Sequence, residues 1–183
     1  MKTNAELVSV SKFLSLVLRH QPQKIGLELD AAGWVGIDEL LRTSAAAGRT
    51  FTHEDLVDVV STSDKQRFAI SDDGLRIRAN QGHTVEVELG LPALVPPDAL
   101  FHGTARRFLD AILHEGLSRR ARHHVHLTAN RDTAIAVGSR YGTPVLLRVD
   151  ARRMHEDSHL FRCSANGVWL AEAVPTCYLE ILE

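Results

Sequence analysis

RFAISDDGLRIRA, residues 67–79, is the stretch whose reading decides the fold. Apolar and polar residues alternate on both sides of Asp73-Gly74, a pair suited to a tight turn, so the stretch predicts a β-hairpin. Working back from it, Thr3-x-x-Glu6 has the form of a capping box. Leu7, Val10, Phe13, Leu14 and Val17 follow at helical spacing until Pro22 forbids continuation, which predicts a helix ending at Arg19-His20. A second helix is expected from Ile37 to Ala47, stopped by Gly48. A third is expected from the Thr52-x-x-Asp55 cap through Val60. Three short helices followed by a hairpin form the pattern of a winged helix. That arrangement usually binds nucleic acid through a helix in a groove, although a fold does not settle a function.

Working forward, Pro92, Pro96 and Pro97 interrupt both helical and strand patterns, and composition shifts there from lysine-containing to arginine- and histidine-rich. The boundary is therefore expected near residue 95, giving domains 1–94 and 95–183. The second half alternates short elements: LFHGT, a helix from Arg106 to His114, HVHLT, a helix from Arg131 to Val137, PVLLRVD, and terminal strands near HLFRC and CYLEIL. An α+β fold class fits this order. No Gly-x-Gly-x-x-Gly and no Gly-Lys-Ser/Thr loop is present, so neither a dinucleotide-binding βαβ unit nor a nucleoside-triphosphatase is supported.

Composition narrows the classes. With 183 residues, 44% hydrophobic and 24% charged, the chain can bury a core. No apolar run approaches the roughly 20 residues of a membrane span, and the N-terminus lacks the pattern of a signal peptide, so a soluble cytoplasmic protein is expected. Cys163 and Cys177 have no metal-ligand spacing around them, which argues for two ordinary thiols and no metal. A formal charge of -2 argues against a broad basic face for long nucleic acid. The charge is uneven, however: Arg119, Arg120, Arg122, His123, His124 and His126 fall within eight positions. A focused anion pocket fits that better. Arg119 and Arg120 are equally compatible with a solvated loop.

Arg19-His20, Arg67 and Arg122 make up a scattered Arg and His set that fold stability does not require. Rigid guanidinium forks beside histidines suit a phosphate on which chemistry proceeds. The plainer readings are a cationic pair complementing a helix C-terminus for Arg19 and His20, an exposed strand residue for Arg67, and a core histidine for His102.

SKFLSLVLRHQP with GLELDAAGWV, KQRFAI followed by IRANQGHTVEV, FHGT, RHHVHLT, PVLLRVDA and NGVWLAEAVP together resemble the NAD-dependent RNA (tRNA) 2'-phosphotransferase family, in its order and over almost the whole chain. The resemblance implies a winged-helix lobe, then a lobe of the ADP-ribosyltransferase type, with the active site between them. It implies removal of an internal RNA 2'-phosphate, as in tRNA splicing, with NAD consumed as co-substrate. The phosphate attacks the nicotinamide ribose, and the ribose 2''-hydroxyl then attacks phosphorus. The products are ADP-ribose 1'',2''-cyclic phosphate, nicotinamide and 2'-hydroxyl RNA.

By motif, Arg19, His20, Arg67 and Arg122 match the family's catalytic set, with His20 either a phosphate ligand or a proton carrier. His102, His126 and Val168 match the family's His, His and apolar NAD signature, with Gly103, Thr104, Thr128 and Arg140 as further expected contacts to NAD. His124 stands as the alternative to His126. In the family-characteristic IRANQGHT segment, Asn80, Gln81 and His83 are candidates to line the interface of the lobes and to contact RNA, against the plainer reading of a loop tied to the sheet. Gly103 is expected to admit backbone close to the cofactor, and Thr104 to present a hydroxyl where the Arg106 helix begins. Val168 stands where many protein-modifying ADP-ribosyltransferases carry a glutamate, which an anionic nucleophile needs less. HLT and SRYG depart slightly from the usual pattern. The expected partner is RNA carrying an internal 2'-phosphate, bound by a monomer. The competing readings are an ADP-ribosyltransferase acting on nucleic-acid phosphate ends and a noncatalytic winged-helix RNA-binding protein.

Overall fold

A computed structural model describes residues 2–63 and 65–182. The chain divides into two compact units, Met1–Gly90 and Leu91–Glu183. The first opens with helix α1, Asn4–Arg19, where the predicted capping box is formed: the Thr3 hydroxyl accepts from the Glu6 amide and the Glu6 carboxylate accepts from the Thr3 amide. A cap of this kind stabilises a helix by about 1 kcal/mol. Val10, Leu14, Val17 and Leu18 are its buried face, and it stops at His20 because Pro22 starts a short 3-10 turn.

After the Asp30 turn, whose carboxylate accepts from the Ala32 and Trp34 amides, come β1 (Val35–Gly36), α2 (Ile37–Ala46) and α3 (His53–Ser61, capped by Thr52 with Asp55). The hairpin closes the unit as β2 (Phe68–Ile70) and β3 (Arg76–Ala79), with Gly74 at the turn in the left-handed region, φ +72°. The three strands make one antiparallel sheet in the order β1-β3-β2. Phe68 pairs with Ala79 and Ile70 with Ile77, so these four face the helices and join Leu14, Leu18, Leu40 and Leu56 in the core. Strand β1 was not foreseen, and Arg67 is a half-buried residue just ahead of β2 instead of an exposed residue within a strand.

The second unit contains β4 (Ala99–Ala105), α4 (Leu109–Glu115), β5 (Leu117–Ser118), β6 (Val125–Leu127), α5 (Arg131–Gly138), β7 (Pro144–Asp150), α6 (Ala151–Glu156), β8 (Phe161–Cys163), β9 (Trp169–Ala171), β10 (Ala173–Val174) and β11 (Leu179–Leu182). They form antiparallel sheets β11-β7-β4, β6-β9-β8 and β10-β5. Leu100, Leu147 and Val149 from one sheet and Val125, Leu127 and Phe161 from another share one core. The mixture of helices and small antiparallel sheets is α+β, as expected.

The helix expected from Arg106 to His114 is instead a 3-10 turn over Arg106–Phe108 and then α4. Thr104 therefore does not stand at an α-helix N-terminus. Helix α6, capped by the Asp150 carboxylate, and strands β5, β9 and β10 were not foreseen. The division at Gly90 comes four residues before the expected one. Arg162 Nε donates to the Leu91 carbonyl, Ala93 bridges Arg162, and the Leu94 amide donates to Phe161, so the proline-rich stretch is paired along β8. No described helix is long and apolar enough to cross a membrane.

Candidate functional site

In the first unit, the Arg19 side chain reaches the main chain of Arg67 although 48 residues of chain separate the two. Arg19 Nη2 donates to the Arg67 carbonyl at 3.2 Å, and the guanidinium carbon lies 5.7 Å from the Phe68 ring centre. The same Arg67 carbonyl accepts from the Asn80 amide at 2.9 Å. The Asn80 side-chain amide holds the Gln66 carbonyl at 2.6 Å, and Gln66 takes a left-handed φ of +39°. Asn80 thus clamps the backbone that enters β2 at Arg67.

His20 is held just as distantly. Its Nδ1 lies 3.0 Å from Thr84 Oγ1, while the Thr84 amide donates to the Arg19 carbonyl at 2.8 Å and the Val85 amide to the same oxygen at 3.3 Å. These amides take up a carbonyl that the end of α1 leaves without a helical partner. Thr84 closes IRANQGHT yet carried no signal of its own, since a hydroxyl at the end of a polar run is common in loops. His83 is buried, its ring near the position a side chain on Gly33 would take. Gln81 is half-buried.

In the second unit, β4 and β6 are joined by reciprocal bonds between Phe101 and Thr128, at 2.7 and 3.0 Å. That pairing brings His102 beside β6, and its Nδ1 donates to the His126 carbonyl at 3.0 Å. The bond assigns the proton to Nδ1, because a carbonyl can only accept, and leaves Nε2 as the acceptor of the neutral ring. Burial pushes the His102 pKa down from its ordinary value, the His126 carbonyl opposes the shift, and the nearby Arg122 charge adds to it. His102 is therefore a neutral acceptor near pH 7.

Arg122 Nη1 lies 3.0 Å from His126 Nδ1. A guanidinium can only donate, so His126 accepts at Nδ1 and carries its own proton at Nε2. Val125 and Leu127 face the core, which leaves His126 on the opposite face of β6. His124 lies just ahead of the strand. The β6–β9 register, His126 with Leu170, continues to place Val168 across from Thr128. Val168 is also fixed by Ser164, whose amide donates to its carbonyl at 2.9 Å.

Other candidates have structural employment. A side chain on Gly103 would run into the Ala134 carbonyl, and one on Gly138 would meet the Thr104 carbonyl at 2.6 Å, so both glycines let α5 lie directly on β4. Gly103 is thus required by helix packing whatever else approaches it. Thr104 is buried opposite Val145. The Thr128 hydroxyl accepts from the Asn130 amide at the entrance to α5. Arg140 is exposed in a 3-10 turn after α5, and Arg120 pairs with Glu115 at 3.9 Å on the surface. Among the described residues no cluster of three or more His, Cys, Asp or Glu side chains is arranged to hold a metal.

The arrangement supplies a group of cationic and hydrogen-bonding side chains in one unit and a pair of tautomer-defined histidines with an arginine in the other. A family model described as "RNA 2'-phosphotransferase, Tpt1 / KptA family" matches residues 5–173. The chain is 55% identical to a probable RNA 2'-phosphotransferase of Streptomyces griseus, over 94% of this chain and 95% of that protein. It is 53% identical to one of Rhodopirellula baltica over 98% of each chain, and 54% identical to one of Pseudomonas aeruginosa over 95% and 96%.

Proposed function

Because the chain belongs to the RNA 2'-phosphotransferase, Tpt1 / KptA family, we propose that it removes an internal 2'-phosphate from RNA and transfers it to NAD. The observation that carries this reading is that Arg19, at the end of α1, is held against the Arg67 main chain while His20 beside it meets Thr84, so residues distant in the chain are ordered around two of the motif's members.

In the proposed reaction an RNA 2'-phosphate oxygen bonds to the anomeric carbon of the nicotinamide ribose as the bond to nicotinamide breaks, linking RNA to ADP-ribose. The ribose 2''-hydroxyl then bonds to phosphorus, the bond to the RNA 2'-oxygen breaks, and that oxygen takes up the proton. Arg19 and Arg67 hold the phosphate, with a geometry the backbone has already set, so little ordering is left to do on binding. His20 has Nε2 opposite the nitrogen that meets Thr84, placing it to bind the phosphate or to move the hydroxyl proton.

The second unit's donor set fits NAD. His102 offers a neutral acceptor for a ribose hydroxyl, and His126 offers a donor at Nε2 whose tautomer Arg122 sets. Gly103, Thr104, Thr128, Arg140 and Val168 complete the proposed contacts. Arg122, by its place in the family motif, is the proposed catalytic arginine of this unit's set. We further assign the first unit as the winged-helix RNA lobe and the second as an ADP-ribosyltransferase-type lobe of a cytoplasmic, monomeric tRNA-processing enzyme.

The test is a short RNA bearing one internal 2'-phosphate, incubated with and without NAD while the RNA and labelled phosphate are followed. NAD-dependent appearance of 2'-hydroxyl RNA and ADP-ribose cyclic phosphate is the expected result. ADP-ribosylated RNA that persists, or release that ignores NAD, overturns the reading.

A further inference from the structure

Arg67 heads a row. The hairpin register pairs Phe68 with Ala79 and Ile70 with Ile77 on the core side, and so assigns Ala69 with Arg78 to the outer side. The bonds from the Asn80 amide to Arg67 and from the Ser71 amide to the Arg76 carbonyl continue that register at both ends. Arg67, Arg78 and Arg76 thus lie on three consecutive outer rungs. Rungs on one face are about 6.6 Å apart, two strand residues.

Trp34, next to β1, backs the far end of the row. The Arg78 guanidinium carbon lies 4.5 Å from its ring centre and that of Arg76 lies 5.5 Å away. Cation–π stacking fixes a guanidinium in direction without using its N–H donors. Among the described residues none of Arg67, Arg76 and Arg78 takes part in an ion pair, and Arg78 Nε is buried without an acceptor. Asp73 at the turn feels the Arg76 charge, but its carboxylate is already engaged by the Ser71 hydroxyl and the Leu75 amide.

We propose that the outer face of the β2–β3 hairpin, Arg67, Arg78 and Arg76 backed by Trp34, is a track for the sugar-phosphate backbone of single-stranded RNA beside the modified nucleotide. Three guanidiniums without an ion pair along one hairpin suit a polyanion better than an isolated anion. This rests on the RNA reading above, and adds that the protein grips nucleotides flanking the 2'-phosphate.

The test measures binding of a ten-nucleotide RNA without any 2'-phosphate, across a salt series, and separately turnover of three- and ten-nucleotide RNAs that carry one. The double variant R76Q/R78Q should weaken binding of the ten-nucleotide RNA about tenfold and lower the slope of log affinity against log salt by about 1.4, or about 0.7 per lost contact. Its KM should rise about tenfold on the ten-nucleotide substrate and less than twofold on the three-nucleotide one. R49Q, which removes an exposed arginine stacked on Phe13, should change neither measure beyond twofold. The single variant R76Q, at an exposed position, should show half the slope change if the double variant melts early. Wild-type salt slopes in R76Q/R78Q, or equal losses in R49Q, overturn the track. Absence of turnover by wild type would instead break the proposed activity, leaving the binding comparison to stand on its own.

Discussion

Two arginine–histidine pairs, Arg19 with His20 and Arg122 with His126, are built in opposite ways. The first pair sits half-buried at the end of α1, and its bonds reach 48 residues to Arg67 and 64 to Thr84. The second is made across four residues, from an exposed Arg122 in a loop to His126 on β6. In the first, the fold delivers the geometry. In the second, the arginine itself sets the tautomer of its histidine, and the fold supplies the His102 bond to the same residue's carbonyl. Similar side chains can differ in what else depends on them: losing Arg19 disturbs a tertiary junction, whereas losing Arg122 disturbs a pair made across four residues.

The largest expected effect tests that asymmetry directly. Arg19→Ala should lower turnover of a 2'-phosphorylated RNA about 10²–10³-fold, the range for a lost charge-stabilising donor. It should also cost about 1–2 kcal/mol in a urea melt, since a partly buried bond and a ring contact disappear. Arg122→Ala should cost activity on a similar scale while shifting stability by no more than about 0.5 kcal/mol, as for a surface residue. If both variants melt alike, the comparison fails.

A milder variant sharpens it. Thr84→Val removes the hydroxyl that meets His20 but keeps the amides that bond the Arg19 carbonyl, so activity should drop about tenfold with less than about 1 kcal/mol of destabilisation. Unchanged kinetics would show that His20 needs no such orientation.

Smaller effects follow pH. His102 has its folded pKa pushed below the ordinary 6.5, so the unfolded chain takes up this proton first as pH falls. The stability carried by neutral His102 is complete above about 6.5 and is lost as pH falls toward and through the lower folded value. Urea midpoints at pH 7.5 and 5.5 should therefore converge in His102→Gln relative to wild type, and an equal drop in both would remove the assignment. At the other end, Tyr178 donates to Asp157 at 2.7 Å and its pKa is pushed up to about 12. Its contribution is present below its ordinary 10 and is lost as pH rises toward 12. Tyr178→Phe should lower the urea midpoint at pH 7 and give a shallower alkaline decline in the melting curve.

Much of the fold was legible because it is locally encoded. The Thr3–Glu6 box, the stop before Pro22, the Asp73-Gly74 turn and the alternation around it each need only a few neighbouring residues. The 3-10 turn at Arg106 was read as helix because Arg106 to Phe108 lack the cap that would have marked the true start. Strands β1, β9 and β10 are two or three residues long, too short for periodicity, and exist because a partner strand is there. The boundary moved to Gly90 for the same reason: prolines signalled a break, but backbone pairing with β8 assigned residues 91–94 to the second unit.

For the candidate site, the sequence alone determined the residue types, their motif order and the chemistry those types favour, because side-chain chemistry and local backbone preference are properties of short segments. Only the tertiary structure decided that Arg19 would bond the Arg67 carbonyl and that Thr84 would meet His20. It likewise decided that His102 would hold its proton on Nδ1 and that Gly103 would answer to helix α5. Each of these depends on a partner dozens of residues away, and a contact of that range is created by the packing of cores and sheets, not by any spacing along the chain.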